Sequence, residues 1–416
     1  MLRQILALAF IFVCTAIAWI ILGATIFSRT YGSNEQLEGH VASTWGGEQQ
    51  QVPPTANYTV TETKRSTTLE NGKAVEHAEK VERQYPLAVE ASRIRVNFHL
   101  DPRQKGLLWY STYAVDFAGD YKFHNGTSEP HNVAFRLKFP SQKALYDGLE
   151  MKINQQPVAI VTDADGTVGR ASVPPGADAS LHVAYRSQGL GSWRYQLGGG
   201  VAQARNFLLV MNTNFRDIDF ADDTLSPTSK LLTQDGWELT WQYSNLISGF
   251  QIGMTMPDKL QPGPLAGEIS YAAPVSLFFF FFLMFIITTL RNIDLHPMNY
   301  FFLATAFFAF HLLLAYLVDH ISIHAAMVIA SVVSVALVVS YLRLVVGLRF
   351  AAIEAGTAQL IYLVLFSYAF FWKGYTGLSI TVIAIITLFV VMQATGRIKW
   401  SERFAARAAP LMPGTR

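Results

Sequence analysis

Cysteine is almost absent from this sequence. Cys14 is the only one among 416 residues, and it lies within a long apolar run near the N-terminus. Because a disulfide bond needs two cysteines, the chain cannot form one internally. Any domain outside the apolar runs must therefore be held together by packing.

Charged residues are also scarce. They make up 15% of the sequence, against 51% for hydrophobic residues, whereas a soluble domain normally carries about a quarter charged residues. The shortage is uneven: residues 28–273 hold 22 Lys and Arg and 26 Asp and Glu, a net charge of −4, while the other 170 residues hold 10 and 4, a net charge of +6. The chain therefore joins a central part that is rich in charged residues to end parts that are poor in them.

Six apolar runs are candidates to cross a bilayer, which requires about 20 residues of helix. The first, Ile5–Phe27, resembles a signal peptide as far as Ala18, but its apolar residues continue beyond that site, so we predict an uncleaved anchor helix. The five later runs follow the central part of the chain: Ile269–Leu290, Tyr300–Val318, Ile321–Tyr341, Gly356–Trp372 and Gly374–Gly396.

The distribution of basic residues predicts the orientation of these helices. Short cytoplasmic loops carry an excess of Lys and Arg. If Met1–Gln4 lies inside, the short outer connections hold a single basic residue, Lys373, beside Asp319, and both termini are cytoplasmic. The inner connections and the tail then hold the remaining basic residues of this part: Arg291, Arg343, Arg349, Arg397, Lys399, Arg403, Arg407 and Arg416.

We therefore predict an anchor over residues 1–27, an exported β-rich domain over 28–268, a five-helix transmembrane bundle over 269–396 and a basic cytoplasmic tail over 397–416. In the exported domain, Arg93–Leu100 and Val133–Pro140 alternate polar and apolar residues, which is typical of half-buried strands. Ser141–Gly148 is predicted to be helical. Further strands at similar spacing favour a mostly antiparallel sandwich: Gln156–Val161, Leu181–Tyr185, Phe207–Asn212, Trp237–Ser244 and Phe250–Met256.

No motif of a known catalytic or nucleotide-binding site is present: the sequence has no H-E-x-x-H, G-x-S-x-G, P-loop or G-x-G-x-x-G pattern. Asp116, Asp120 and His124 would share one face of a helix, but their segment is predicted to be a strand. His99 and Asp101 share a strand face, and two ligands do not make a zinc site. We predict no catalytic or metal site, no cofactor and no nucleic-acid partner.

Polar residues in the membrane helices are better candidates, because burying them there is costly. Asp319, His320 and His324 gather at one end of the second and third helices of the bundle, and His311 lies two turns deeper. They could form a proton- or metal-linked site. The alternative is that they lie at the headgroup level, where polar helix ends are common.

Several segments resemble the CreD family of bacterial inner-membrane proteins. The most specific is Leu295-His296-Pro297-Met298-Asn299-Tyr300, which is similar to the family's Leu-His-Pro-Met-x-Tyr segment and is followed by a Leu-rich helix and Asp319-His320. Pro297 suits the first turn of a helix and keeps His296 outside it; Asn292 or Asp294 could cap that helix. Matching segments elsewhere are Trp45-Gly46-Gly47-Glu48-Gln49, Lys105–Tyr110, Phe117–Phe123 and Arg397–Trp400, where Lys399 replaces the family's Asp.

The resemblance implies a role in cell-envelope integrity and in the response to envelope stress, including β-lactams, and it implies no catalytic residues. We predict a non-enzymatic protein in contact with membrane lipid, whose exported domain binds an envelope protein or a wall component. Two alternatives remain open: a transporter or channel built from the helix bundle, and a membrane-anchored hydrolase.

Overall fold

The structure, a computed structural model, describes residues 2–32, 34–70, 73–198 and 202–396. The predicted basic tail, with the segment Arg397–Trp400, lies outside these residues. The chain forms two compact units. One contains the N-terminal residues through Glu35, residues 106–108 and the chain from Leu260 onward; the other contains residues 36–105 and 109–259.

Six helical segments of the described chain are long and apolar enough to cross a membrane, as predicted. Pro262 and Pro297 stand in the first turns of their helices, where a missing backbone N–H breaks no hydrogen bond. A short polar helix, α2, follows the first. The helices are α1 (Leu2–Tyr31), α2 (Asn34–Trp45), α3 (Pro262–Leu290), α4 (Pro297–Leu317), α5 (Ile323–Val345), a segmented helix over Phe350–Phe371, and a final helix over Thr376–Thr395.

The segmented helix departs from regular α geometry. It contains two π-helical stretches, Phe350–Ala355 and Leu360–Leu365, separated by the single α-turn Gly356–Gln359. Its last residues form a short α stretch, Phe366–Tyr368, and a 3₁₀ turn, Ala369–Phe371. The sequence predicted one short helix here and gave no sign of the irregularity.

The first helix packs against the later helices. Trp19 is fully buried among them, and its ring lies 5.7 Å from that of Phe308. A Cβ atom at Gly267 of α3 would lie 2.7 Å from the ring of Phe27, so glycine is what allows α1 and α3 to approach so closely.

The second unit is rich in β-strands, which form an eight-stranded sheet, a five-stranded sheet and two smaller ones. The strands are β1 (Gln49–Gln51), β2 (Thr55–Glu70), β3 (Lys73–Leu87), β4 (Val89–Leu100), β5 (Arg103–Lys105), β6 (Leu108–Tyr110), β7 (Thr112–His124), β8 (His131–Lys138), β9 (Tyr146–Ile153), β10 (Gln156–Pro157), β11 (Ile160–Thr162), β12 (Gly166–Val173), β13 (Asp178–Leu190), β14 (Ser192–Tyr195), β15 (Ala202–Asn212), β16 (Ser229–Leu232), β17 (Trp237–Ser248) and β18 (Ile252–Thr255).

The two large sheets form the predicted sandwich. Their orders are β10-β9-β13-β7-β4-β15-β17-β16 and β11-β12-β8-β2-β3, and all neighbours within them are antiparallel except β4 and β15. Their inner residues share one hydrophobic core, in which the rings of Phe123 on β7 and Phe135 on β8 lie 5.5 Å apart, edge to face. With no disulfide, this core stabilises the unit.

Two sequence expectations for this unit were wrong or incomplete. Ser141–Gly148 is not helical, because Tyr146 already starts β9, which pairs with β13. Gln156–Val161 is split into the short strands β10 and β11, which belong to different sheets.

Candidate functional site

The segment that starts with Trp45 is held by contacts in the β-rich unit. Trp45 ends α2, its indole N–H donates to the carbonyl of Tyr113 (3.3 Å), and the Arg103 guanidinium lies 3.5 Å from the centre of its ring. Gly46 follows with φ of +121°. A Cβ atom there would lie 2.3 Å from the carbonyl oxygen of Gln188, so only glycine fits.

Two buried glutamines continue this segment. The Gln49 side chain donates to Ser187 Oγ (2.8 Å) and to the carbonyl of Gln188 (2.7 Å). Gln51 accepts a hydrogen bond from the hydroxyl of Tyr185 (2.6 Å), and burial raises the pKa of Tyr185 well above its ordinary value, so the hydroxyl keeps its proton. These residues join β1 to β13 and have a structural role.

We predict that Gly46→Ala lowers the free energy of unfolding of the full-length protein by about 2 kcal/mol or more, because the new Cβ meets a carbonyl and the backbone is left-handed. Thermal unfolding in detergent measures the effect. Gly47→Ala is the matched control, because nothing lies within 4 Å of a Cβ atom at that position. Equal melting temperatures for the two variants would contradict this account.

Asp116, Asp120 and His124 lie on one exposed face of β7, where each faces an oppositely charged or ionisable partner on β13. Asp116 pairs with Arg186 (2.7 Å), Asp120 with His182 (2.7 Å) and His124 with Asp178 (2.8 Å). The hydrogen bond from Lys122, followed by that from His124, lowers the pKa of Asp178 below its ordinary value. The three residues are thus spread along a ladder of cross-strand pairs.

His99 and Asp101 make separate contacts. His99 Nδ1 lies 3.5 Å from the side-chain amide of Asn214, and Asp101 pairs with Arg103 (3.4 Å). Across residues 2–32, 34–70, 73–198 and 202–396, no group of three or more His, Cys, Asp and Glu side chains is placed to hold a metal ion.

His296, Pro297 and Met298 form the start of α4. His296 has an extended backbone, as predicted, and its Nδ1 accepts a hydrogen bond from the backbone N–H of Met298 (3.2 Å). Pro297 is the first residue of the helix. The expectation that Asn292 or Asp294 caps this helix was wrong, because His296 itself occupies the cap position.

The four polar residues of the candidate membrane site, Asp319, His320, His324 and His311, have different surroundings. Asp319 pairs with Arg29 of α1, whose guanidinium lies 2.9 and 3.0 Å from its two carboxylate oxygens. His311 is buried, bonds the carbonyl of Phe307 (3.0 Å) and packs edge to face on Trp19. His324 lies against the ring of Phe371, and the side chain of His320 is exposed.

The pair of Arg29 and Asp319 joins α1 to α4 at the end of both helices. Arg29 also donates to the carbonyl of Ala315 (3.4 Å) and lies over the ring of Tyr316 (5.3 Å). The two side chains are 33% and 29% exposed, so solvent screens part of their attraction, and we assign the pair about 1 kcal/mol or less.

We predict that Arg29→Gln and Asp319→Asn each lower the melting temperature slightly, and that the double variant is no less stable than the weaker single variant, because both remove the same bond. His320→Gln, at the neighbouring exposed position, is the control and should melt like the wild type. Additive losses in the double variant would show that the two residues act independently.

Sequence reasoning missed the polar residues of the segmented helix. Glu354 lies in the first π-helical stretch, is 16% exposed and pairs with Arg291. Gln359 is fully buried, and its amide donates to Ser334 Oγ of α5 (2.7 Å). A single amide residue within an apolar run is the sequence signal that could have drawn attention to it.

The architecture is that of a multi-pass membrane protein in which six apolar helices accompany a β-sandwich. Residues 267–401 match the family model described as "Inner membrane protein CreD". The match covers most of α3 and the helices that follow it, and it confirms the resemblance to the CreD family of inner-membrane proteins in that part of the chain.

Comparison with other proteins gives only distant likenesses. No curated protein matches the sequence. Among solved structures, a provisionally assigned nutrient binding protein from Legionella pneumophila is 13% identical, with 47% of this chain and 71% of that chain covered and a TM-score of 0.33. An M1 zinc metallopeptidase from Deinococcus radiodurans is 12% identical, with 40% and 42% covered and a TM-score of 0.25. Likeness at this level identifies neither a shared fold nor a shared activity.

Proposed function

We propose that this protein supports the integrity of the bacterial cell envelope, including its response to β-lactam stress, by binding an envelope partner through its β-rich unit. In this proposal the β-rich unit lies on the periplasmic side and both termini are cytoplasmic. The excess of Arg and Lys in the connections on one side of the helices supports that orientation, and the CreD family match supports the inner membrane.

The proposal of partner binding rests on one structural feature, the two-stranded ribbon formed by β2 and β3. β2 pairs with β8 only over Thr55–Tyr58, and from Thr59 onward it pairs with β3 alone. β3 is an edge strand of 15 residues. Within the described strands, the outer edge of this ribbon therefore offers an unpaired row of backbone donors and acceptors.

Such an edge favours a partner that adds an extended segment to it. Long unprotected edges invite unwanted pairing, and proteins normally shorten or cover them. The exposed side chains on the described part of the ribbon carry both signs of charge, for example Lys64 and Glu82. The surface therefore does not select a partner by the sign of its charge. Main-chain hydrogen bonds, as in strand addition, are the recognition mode that suits this surface.

A photo-crosslinking amino acid at Thr61 or Lys80, both exposed on the ribbon, tests this proposal in intact cells. We expect either position to capture a discrete envelope protein, identified by mass spectrometry. The same probe at Ser128, exposed in a loop of the same unit, is the control. Capture of the same species with equal yield at Ser128 would remove the ribbon as the binding surface, and recovery of wall fragments would identify a wall component as the partner.

The orientation has its own test. We expect a reporter that is active only in the cytoplasm to work when fused after Arg416, because the tail is predicted to lie inside. A reporter active only in the periplasm should be active when it is inserted between Ser128 and Glu129. Periplasmic activity after Arg416 would contradict the arrangement with both termini inside.

A further inference from the structure

A group of hydrogen-bonded polar residues lies near the middle of the membrane helices. Gln359 is near the centre of the segmented helix and is 0% exposed. Its side-chain N–H donates to Ser334 Oγ (2.7 Å), near the centre of α5. Ser334 in turn donates to the carbonyl of Ala306 (2.6 Å), near the centre of α4.

These bonds fix the orientation of the Gln359 amide. Ser334 has one hydroxyl hydrogen, and at 2.6 Å it is directed to the carbonyl of Ala306. Ser334 can therefore only accept from Gln359, so the amide nitrogen must face it and the amide oxygen must point elsewhere. Exchanging the two amide atoms would place two acceptors against each other.

The amide oxygen of Gln359 is left as an unused acceptor. Gln359 Oε1 is fully buried and has no hydrogen-bond partner among the described residues. An unsatisfied buried acceptor costs about 1–3 kcal/mol, and hydrocarbon offers it no compensation. A side chain held in this way is positioned to bind a hydrogen-bond donor that does not belong to the protein.

The backbone around Gln359 is also unusual. Gln359 is the last residue of the α-turn between the two π-helical stretches. Such stretches often mark functional sites. In the second stretch the Ser276 hydroxyl of α3 donates to the carbonyl of Tyr362, and the Tyr362 hydroxyl lies 2.6 Å from Thr387 Oγ1 of the final helix. Polar groups from α3, α4, α5, the segmented helix and the final helix thus lie near the middle of their helices, where the binding sites of transporters are found.

We propose that Gln359 Oε1 is the acceptor of a midplane binding site for a small uncharged hydrogen-bond donor, either water or a hydroxyl-bearing solute. None of the groups in the hydrogen-bonded sets around Gln359 and Tyr362 is charged. A single amide oxygen can accept a hydrogen bond, whereas it cannot replace the hydration shell of a metal cation. This site is separate from the ribbon and does not depend on the partner-binding function.

Cysteine accessibility tests the site in the full-length protein. In a Cys14→Ser background reconstituted into lipid vesicles, we expect Gln359→Cys to react with methanethiosulfonate ethylammonium at least about tenfold faster than two controls, because the reactive thiolate forms only where water reaches it. The controls are Leu363→Cys, buried on the same helix, and Leu388→Cys, exposed on the apolar final helix. Equal rates at all three positions would overturn the proposal.

Thermal stability gives a second measurement that needs no labelling. Gln359→Met keeps a similar length and removes the acceptor. If Oε1 binds a donor, the variant should melt several degrees lower, because that bond and the bond to Ser334 are both lost. A melting temperature equal to or above that of the wild type would show that the acceptor was unsatisfied, and the proposal would fail.

A measurement of solute entry distinguishes the two possible donors, water and a hydroxyl-bearing solute. Vesicles that contain the protein are placed in a glycerol gradient and their swelling is recorded. Faster swelling with the wild type than with Gln359→Met identifies a hydroxyl-bearing solute. Equal swelling, together with fast labelling of Gln359→Cys, identifies water as the donor.

Discussion

The helical unit is governed by the absence of water in the hydrocarbon core. Every backbone donor and acceptor there must find its partner within the protein, which is why the apolar runs form helices. Within the π-helical stretch Leu360–Leu365, a side chain from another helix also bonds the backbone: Ser276 donates to the carbonyl of Tyr362. The small side chains of Ala326, Ala330 and Ser334 are buried in the same unit, and small residues of this kind let membrane helices approach closely.

The same constraint explains how much could be predicted from the sequence. Six apolar runs predicted six membrane helices, because hydrophobicity over about 20 residues is a strong local signal. The alternation of Arg93–Leu100 predicted a strand of the sandwich for a similar reason. In contrast, Ser141–Gly148 was predicted to be helical although Tyr146 starts β9. Its state depends on pairing with β13, where Tyr146 lies opposite Ser187 and Asp147 opposite Arg186, about 40 residues later in the sequence. No local pattern reveals such pairing.

The contacts of the candidate membrane site could not be predicted from positions in the sequence. Asp319, His320 and His324 lie within six residues of one another, yet Asp319 pairs with Arg29, 290 residues away, and His324 packs on Phe371. Asp319 and His320 lie in the turn after α4, which ends at Leu317, whereas His324 belongs to α5, which begins at Ile323, so the three residues face different neighbours. Gln359 was overlooked because a lone amide within an apolar run has no motif, and its importance depends on which atoms remain without a partner.

The lack of disulfides has a consequence for where the β-rich unit can fold. Its core depends on packed side chains such as Phe123 and Phe135 and on cross-strand hydrogen bonds, and none of these changes with the redox potential. The unit therefore needs neither an oxidising compartment nor a thiol oxidase to reach its native state. Thiol reductants should leave its fold intact, and the oxidation chemistry of thiols is confined to Cys14 of the first membrane helix.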